Sequence, residues 1–203
     1  MIFDKKYYYW FGKDIEQNNI VRVRDIFDLS RELSEKPEEE SILSLTQKGI
    51  VIRDISKNEG QLPKSFNEYN KIKKGDIVLN PMDLITGWVD ISNHDGLISP
   101  SYKTLRIKDN NENIKFYCFQ LQRYYKDKIF FNAGEGVSYD YRWGITDEIL
   151  MNFPIITKSI EEQNNIVNNL EKSLKKIDKL IENNNKKNKL LTELKNSSYK
   201  SYF

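Results

Sequence analysis

Cysteine and histidine are almost absent: the 203 residues contain one of each, Cys118 and His94. A single cysteine excludes an internal disulfide and fits a reducing cytoplasm. With a single histidine as well, most metal sites and most paired nucleophile–base arrangements drop out. His94 itself stands in Asn93-His94-Asp95-Gly96, a turn signal with no second ligand beside it, and reads as a turn residue rather than a general base. No phosphate-cradling loop is present, because Gly134-Glu135-Gly136 lacks a Lys-Ser/Thr partner. No stretch approaches the roughly 18 consecutive apolar residues of a membrane span. Met1-Ile2-Phe3-Asp4-Lys5-Lys6 lacks the apolar core of a signal peptide. A soluble, cytoplasmic protein with no cofactor, no metal and no membrane partner is the expectation.

What is present is charge and aromatic carbon. Charged residues make up 31% and hydrophobic ones 38%, so the surface is large relative to the interior. An elongated shape or partial disorder would give that balance, and an aromatic content of 12% argues against disorder. The net charge of +2 is weakly informative, since a nucleic-acid binder need only concentrate its cations on one face.

Two regions of different periodicity meet near Pro154. From Ile20 to about Phe153 the apolar residues come in short clusters divided by turn signals. Ser41 to Leu45 and Gly49 to Ile52 read as paired strands around Gln47-Lys48-Gly49. Ile77-Val78-Leu79 follows a Lys74-Gly75-Asp76 turn and stops at Asn80-Pro81. Trp88 to Ile91, Gly96 to Ile98 and Tyr102 to Ile107 read as further strands. Ile114, Tyr117, Leu121 and Tyr124 recur at helical spacing, which predicts a helix from Asn113 to Lys126. An α+β fold with a mixed sheet follows, with a domain over 1–157.

The remainder, 158–203, has another character. Ser159 with Glu161 and Glu162 marks a helix start, and no Gly or Pro occurs from there to about Lys195. Val167, Leu170, Leu174, Ile177 and Ile181 step by three and four in a heptad seam that continues through Asn184, Asn188 and Leu191. About 37 helical residues would make a rod of roughly 55 Å, whose apolar stripe calls for a partner helix. The run Asn183 to Lys189 is either a solvated weak stretch or a local break. Ser197 to Phe203 shows no usable pattern.

Two short motifs come near to catalytic ones. Ser99-Pro100-Ser101-Tyr102 is one residue away from the Ser/Asn/Asp-Pro-Pro-aromatic loop with which amino-methyltransferases hold the target amine, but the second proline and a glycine-rich cofactor strand are missing. Glu193-Leu194-Lys195 has the Glu-x-Lys spacing of metal-dependent nucleases, yet it falls on the rod with no acidic partner nearby.

Three segments carry a family resemblance: Val51-Ile52-Arg53-Asp54, Tyr69 through Leu84 (with Lys74-Gly75-Asp76-Ile77-Val78 and Asn80-Pro81), and Asp95-Gly96-Leu97-Ile98-Ser99-Pro100-Ser101-Tyr102. Together they resemble the target-recognition domains of type I restriction–modification specificity subunits. The exit, Asn152-Phe153-Pro154-Ile155-Ile156 followed by Glu161-Glu162-Gln163-Asn164-Asn165-Ile166, is similar to that family's proline-punctuated strand and the start of its conserved helix. Lys158-Ser159-Ile160 stands where a second proline is usual. The resemblance runs from about Val21 to Leu194. It implies a non-catalytic subunit that reads double-stranded DNA and docks adenine methyltransferase (modification) subunits, with restriction subunits cleaving unmodified DNA. Family members usually hold two recognition domains and two antiparallel spacer helices. One of each here implies a half-length form that pairs with itself as a homodimer, or one piece of a split gene.

Reading DNA requires cations for phosphates and polar or planar groups for base edges. Arg53, Lys57 and Lys64 lie on one candidate loop, and Lys71, Lys73 and Lys74 cluster before a turn. Ser138, Tyr139 and Arg142 lie on a loop loosened by Gly134 and Gly136. The plainer reading of each is a solvated surface group. Trp88, Tyr102 and Trp143 read as core, and Gly96, Ser99 and Pro100 as structural. A stand-alone DNA-binding or coiled-coil adaptor protein is the competing expectation.

Overall fold

The structure, a computed structural model, describes residues 19–55, 63, 65–136 and 143–202, with the backbone alone at 135, 136, 143 and 200–202. The chain divides into two units, Met1–Ile160 and Glu161–Phe203.

Among the described residues, the first unit starts with β1 (Asn19–Arg22), α1 (Val23–Ile26) and β2 (Phe27–Ser30), then a 3-10 turn at Pro37–Glu39. Next come β3 (Leu43–Thr46), β4 (Gly49–Ile52), β5 (Asn70–Ile72), β6 (Ile77–Leu79), β7 (Val89–Ile91), β8 (Gly96–Ile98) and β9 (Lys103–Ile107). It closes with α2 (Ile114–Lys126), α3 (Ile129–Ala133), β10 (Glu135–Gly136), β11 (Trp143–Gly144), α4 (Asp147–Asn152) and β12 (Pro154–Thr157). A four-stranded sheet in the order β2-β9-β6-β7 is the largest; β1-β12, β3-β4, β5-β8 and β10-β11 form two-stranded ladders. All these ladders are antiparallel, and an isolated bridge between Ile42 and Leu97 is parallel.

Local chemistry explains the best-defined elements. The Thr46 hydroxyl donates to the Gly49 carbonyl at 2.8 Å and accepts from the Lys48 amide at 3.1 Å, which closes the hairpin and sets Leu43 opposite Ile52. Asn113 caps α2, its side chain accepting from the Lys115 amide at 3.0 Å. The stripe expected on that helix is buried at Tyr117, Leu121 and Tyr124, with Phe116 and Tyr125 beside it. There Tyr124, Phe130 and Phe153 pack with ring centroids 5.0–5.5 Å apart, and the Tyr124 hydroxyl donates to the Pro154 carbonyl at 3.1 Å. A second apolar cluster joins Leu43, Ile50, Ile72, Val78 and Ile98, with Tyr102 packed against it. Gly96 is held by close approach: a Cβ there would lie 2.4 Å from the Ser41 carbonyl oxygen, which the Leu97 amide engages at 2.9 Å.

Polar groups lock the central sheet. Arg106 on β9 donates through Nε and Nη2 to both oxygens of Asp76, at 2.9 and 2.8 Å, and through Nη1 to Glu32 at 2.8 Å. Asp76 also accepts from the Lys73 amide at 2.8 Å, so a carboxylate only 5% exposed is met by three donors. The short elements α1, α3 and α4, of four to six residues, join the one helix expected before Pro154; none spans enough turns to show a 3.6-residue period.

The second unit is one helix, α5 (Ile160–Tyr202), of 43 residues and about 65 Å. It runs past the expected end near Lys195. The run Asn183 to Lys189 is a solvated stretch and not a break, supported by an i,i+4 ion pair between Glu182 and Lys186 at 2.6 Å and a Thr192 hydroxyl donating to the Asn188 carbonyl at 2.9 Å.

Removing one side of the Arg106–Asp76 pair should leave an unpaired buried charge. Arg106→Leu is expected to cost about 3 kcal/mol in urea unfolding, with Asp76→Asn in the same chain recovering part of the loss. Equal stability of the wild type and Arg106→Leu would remove the pair from the fold's determinants.

Candidate nucleic-acid interface

Of the nine residues that sequence singled out for DNA contact, Lys57, Lys64, Ser138, Tyr139 and Arg142 lie outside the described residues. The other four do not form one patch. Arg53 follows β4, is half-buried, and donates its amide to the Ile42 carbonyl at 2.8 Å. Lys71, on β5, pairs with Glu40 at 2.7 Å and lines a cleft whose other members include Glu32, Glu35 and Glu39. Lys73 pairs with Glu32 at 3.2 Å. Lys74 is exposed, its amide held by Asp95 at 2.7 Å, and its ammonium makes no ion pair among the described residues.

Folding brings Lys73 and Lys74 together with Arg106 and Lys108 around a cleft of about 450 Å³ that also holds Asp76 and Glu112. The sequence reading passed over Arg106 and Lys108. Their two-residue spacing on a strand put them on one face, but two alternating cations are a weak signal.

These ion pairs shift the carboxylates. Hydrogen bonds from Arg106 and Lys73 hold Glu32 below the ordinary carboxylate range, and the Lys71 hydrogen bond does the same for Glu40. Asp147 is partly buried, which alone would raise it, yet Lys103 at 2.7 Å and Arg31 hold it low.

The catalytic near-misses have ordinary structural surroundings. Ser99 and Tyr102 close a turn, Tyr102 donating its amide to the Ser99 carbonyl at 3.0 Å. His94 also belongs to a turn, its carbonyl accepting from the Ser92 hydroxyl at 2.6 Å. Burial pushes the Cys118 thiol far up, so it is not poised as a nucleophile. Glu193 and Lys195 are exposed on α5, where the Lys195 ammonium stands over Tyr199 at 5.9 Å. Among the described residues no group of three or more His, Cys, Asp or Glu is placed to hold a metal, and no helix is long and apolar enough to cross a membrane.

On α5, Leu170, Leu174, Ile177, Ile181 and Leu191 are 41–53% exposed, and Asn184 and Asn188 are exposed as well. Val167, expected on the same seam, is already buried at 4%, so the open stripe starts at Leu170.

The sequence matches no family model and no curated protein. Among solved structures, the chain is similar to the S subunit of the type I restriction–modification system from M. genitalium, with 22% identity, a TM-score of 0.51, and 83% of this chain and 43% of that one covered. It is also similar to a chain from a structure of the assembly and conformational transition of the type I restriction–modification system, at 15% identity and a TM-score of 0.52, covering 80% and 39%. The chain spans about two fifths of the length of these relatives.

Because Glu32, Glu40 and Asp147 titrate lower in the folded chain than in the unfolded one, their stabilisation is complete above the ordinary value of 4.5 for Glu and is lost as pH falls through the folded values. The thermal midpoint should therefore hold steady above about pH 5 and decline below it, and Glu32→Gln should flatten part of that decline. A midpoint that rises on acidification would contradict these pairings.

One α+β unit followed by one long helix, seen from both solved relatives, gives this chain the fold of a type I specificity subunit at half length.

Proposed function

We propose that the chain reads DNA sequence as the specificity subunit of a type I restriction–modification complex, directing adenine methylation, and cleavage of unmodified DNA, by partner subunits. What supports this reading is the occurrence in one chain of that fold and of the motifs that resemble recognition domains. Lys74-Gly75-Asp76 forms the turn into β6, Asp95-Gly96-Leu97-Ile98 leads through β8, and Pro154 opens the strand before the long helix. The first unit supplies recognition, the helix supplies assembly, and neither supplies chemistry. Isothermal titration of the purified chain with S-adenosylmethionine is expected to show no binding at micromolar cofactor; binding would overturn the subunit reading.

The exposed stripe of α5 supports pairing with a second helix. Each Leu or Ile gains about 1.5–3 kcal/mol on full burial, and Asn184 and Asn188 act as polar seam positions that fix register at some cost in stability. Two copies packed antiparallel would be related by a two-fold axis, and their target would be two inverted half-sites with a fixed spacer.

Co-expression with a type I adenine methyltransferase subunit encoded by the same genome, followed by methylation sequencing, should reveal methylated adenines in such a bipartite site. Leu174→Glu with Ile177→Glu should leave a folded monomer by sedimentation and abolish methylation. A wild-type monomer at tens of micromolar with an asymmetric methylated site would favour a split-gene partner. Absence of any methyltransferase association would favour a stand-alone DNA-binding or adaptor protein.

A further inference from the structure

Lys71, Lys73, Lys103, Arg106, Lys108 and Arg123 of the first unit each stand within ion-pair distance of a carboxylate. Lys48, Lys126 and Lys128, like Lys74, are exposed and make no ion pair among the described residues. The Lys126 ammonium lies over the Trp88 ring, 5.4 Å from its centroid, and Lys128 donates to the Ile85 carbonyl. Lys48 occupies the β3–β4 turn beside Gln47, whose amide donates to the Thr86 carbonyl at 3.0 Å. These contacts converge on one loop, Asn80 to Trp88, between β6 and β7.

That loop is rigid for its length. Asp83 accepts from the Ile85 and Thr86 amides at 3.0 and 2.8 Å and from the Thr86 hydroxyl. The Gly87 amide donates to the Asp83 carbonyl at 2.9 Å, and a Cβ on Gly87 would fall 2.0 Å from that same oxygen, so only glycine fits. The Asn80 amide closes the loop on the Trp88 carbonyl at 3.0 Å, the Tyr125 hydroxyl donates to the Asn80 carbonyl, and the Ile145 amide holds Pro81 at 2.8 Å. Leu84 is fully buried, whereas the next residue, Ile85, is 53% exposed. Ile85, Thr86 and Trp88 face Gln47, Lys126 and Lys128 across a cleft of about 310 Å³.

None of the neighbouring carboxylates forms an ion pair with these lysines among the described residues, although Asp83 keeps its own charge. Asp83 is occupied by the loop's own donors, and Asp127 pairs with Arg123 at 2.9 Å. Asp90 is half-buried and accepts from the Ile91 amide at 2.8 Å. An apolar tip on a fixed loop, flanked by cations without acidic partners, is complementary to a polyanion with grooves.

We propose that the loop Asn80 to Trp88, with Lys48, Lys126 and Lys128 around it, is a contact surface for duplex DNA, the lysines meeting phosphates and Ile85 entering the major groove. This rests on the DNA-reading function proposed above and adds the face through which it acts. An exposed isoleucine matches a thymine methyl group on the groove floor, and a loop already ordered loses little entropy on binding. The acidic cleft beside Lys71 belongs to the face that DNA avoids.

The test uses the full chain assembled with its modification subunits and a fluorescent duplex carrying the methylated site, titrated across potassium chloride concentrations. The Lys48→Gln, Lys126→Gln, Lys128→Gln triple variant should lower the slope of log affinity against log salt by about 2 to 3, while Lys36→Gln, at the Glu39 ion pair in the acidic cleft, should leave it unchanged. A photo-crosslinking residue at position 85 should capture DNA, and one at exposed Leu33, beside the acidic cleft, should not. The crosslinks decide the matter even if the triple variant folds poorly. DNA binding with an unchanged slope and no crosslink at position 85 overturns the loop and spares the DNA-reading function. Failure to bind duplex at any salt concentration overturns both.

Discussion

The bond between Arg106 and Asp76 organises the first unit. A carboxylate taken out of water is costly unless donors replace its hydration, and here three donors do so from two places in the chain: the Lys73 amide and the Nε and Nη2 of the Arg106 guanidinium. The pair therefore joins β9 to the turn that launches β6, the two strands at the centre of the largest sheet. Because Ile77, Val78 and Leu79 are all apolar and buried, β6 lacks the alternation that would fix its register, and a one-residue slip is opposed by carrying Asp76 away from Arg106. The same turn holds Ser92, whose amide donates to the Asp76 carbonyl at 2.8 Å and whose carbonyl accepts from Gly75 at 2.8 Å. These bonds tie the β6–β7 hairpin at the end away from its Asn80 to Trp88 loop, and the Asn80 amide on the Trp88 carbonyl closes it at the loop end.

Charge in this chain matters by placement rather than by sum. A net charge of +2 conceals a segment, Glu32 to Glu40, with five glutamates, and those glutamates take up the lysines most suggestive in the sequence. An ammonium already paired with a carboxylate must give up that partner to hold a phosphate, so its gain on DNA is small. A lysine resting on an indole ring or a carbonyl keeps its full charge. Trp88 and the Ile85 carbonyl position Lys126 and Lys128 without neutralising them.

The parts of this architecture that were legible in sequence are those written by local pattern. The helix α2, the β3–β4 hairpin and the long run of α5 each carry their own period and caps, so Asn113, Gly49 and the Leu170 to Ile181 steps announced them. Short elements such as α1 and α4 hold too few residues for a period to emerge, and tertiary contacts decide them. The site was less legible still, because charge pairing is non-local. Glu32 meets Arg106 across 74 residues and Lys128 meets Ile85 across 43. Nothing near Lys71 in sequence says that Glu40 will stand beside it, whereas Asp83 accepting from the amides two and three residues on is a local bond that sequence could have suggested. Trp88, read as a core residue, is half-buried and serves as the seat of a cation.

Two surfaces remain that this chain does not satisfy by itself, and they obey different physics. The Leu170, Leu174, Ile177 and Ile181 stripe is open carbon, driven toward a partner by exclusion from water, a force that salt strengthens or leaves alone. The lysines around the Asn80 to Trp88 loop are open charge, and the part proposed for them on DNA would fall steeply with ionic strength as counterions are displaced. On the proposed reading, helix pairing therefore responds to protein concentration and DNA contact to salt, so that each can be varied while the other is held fixed.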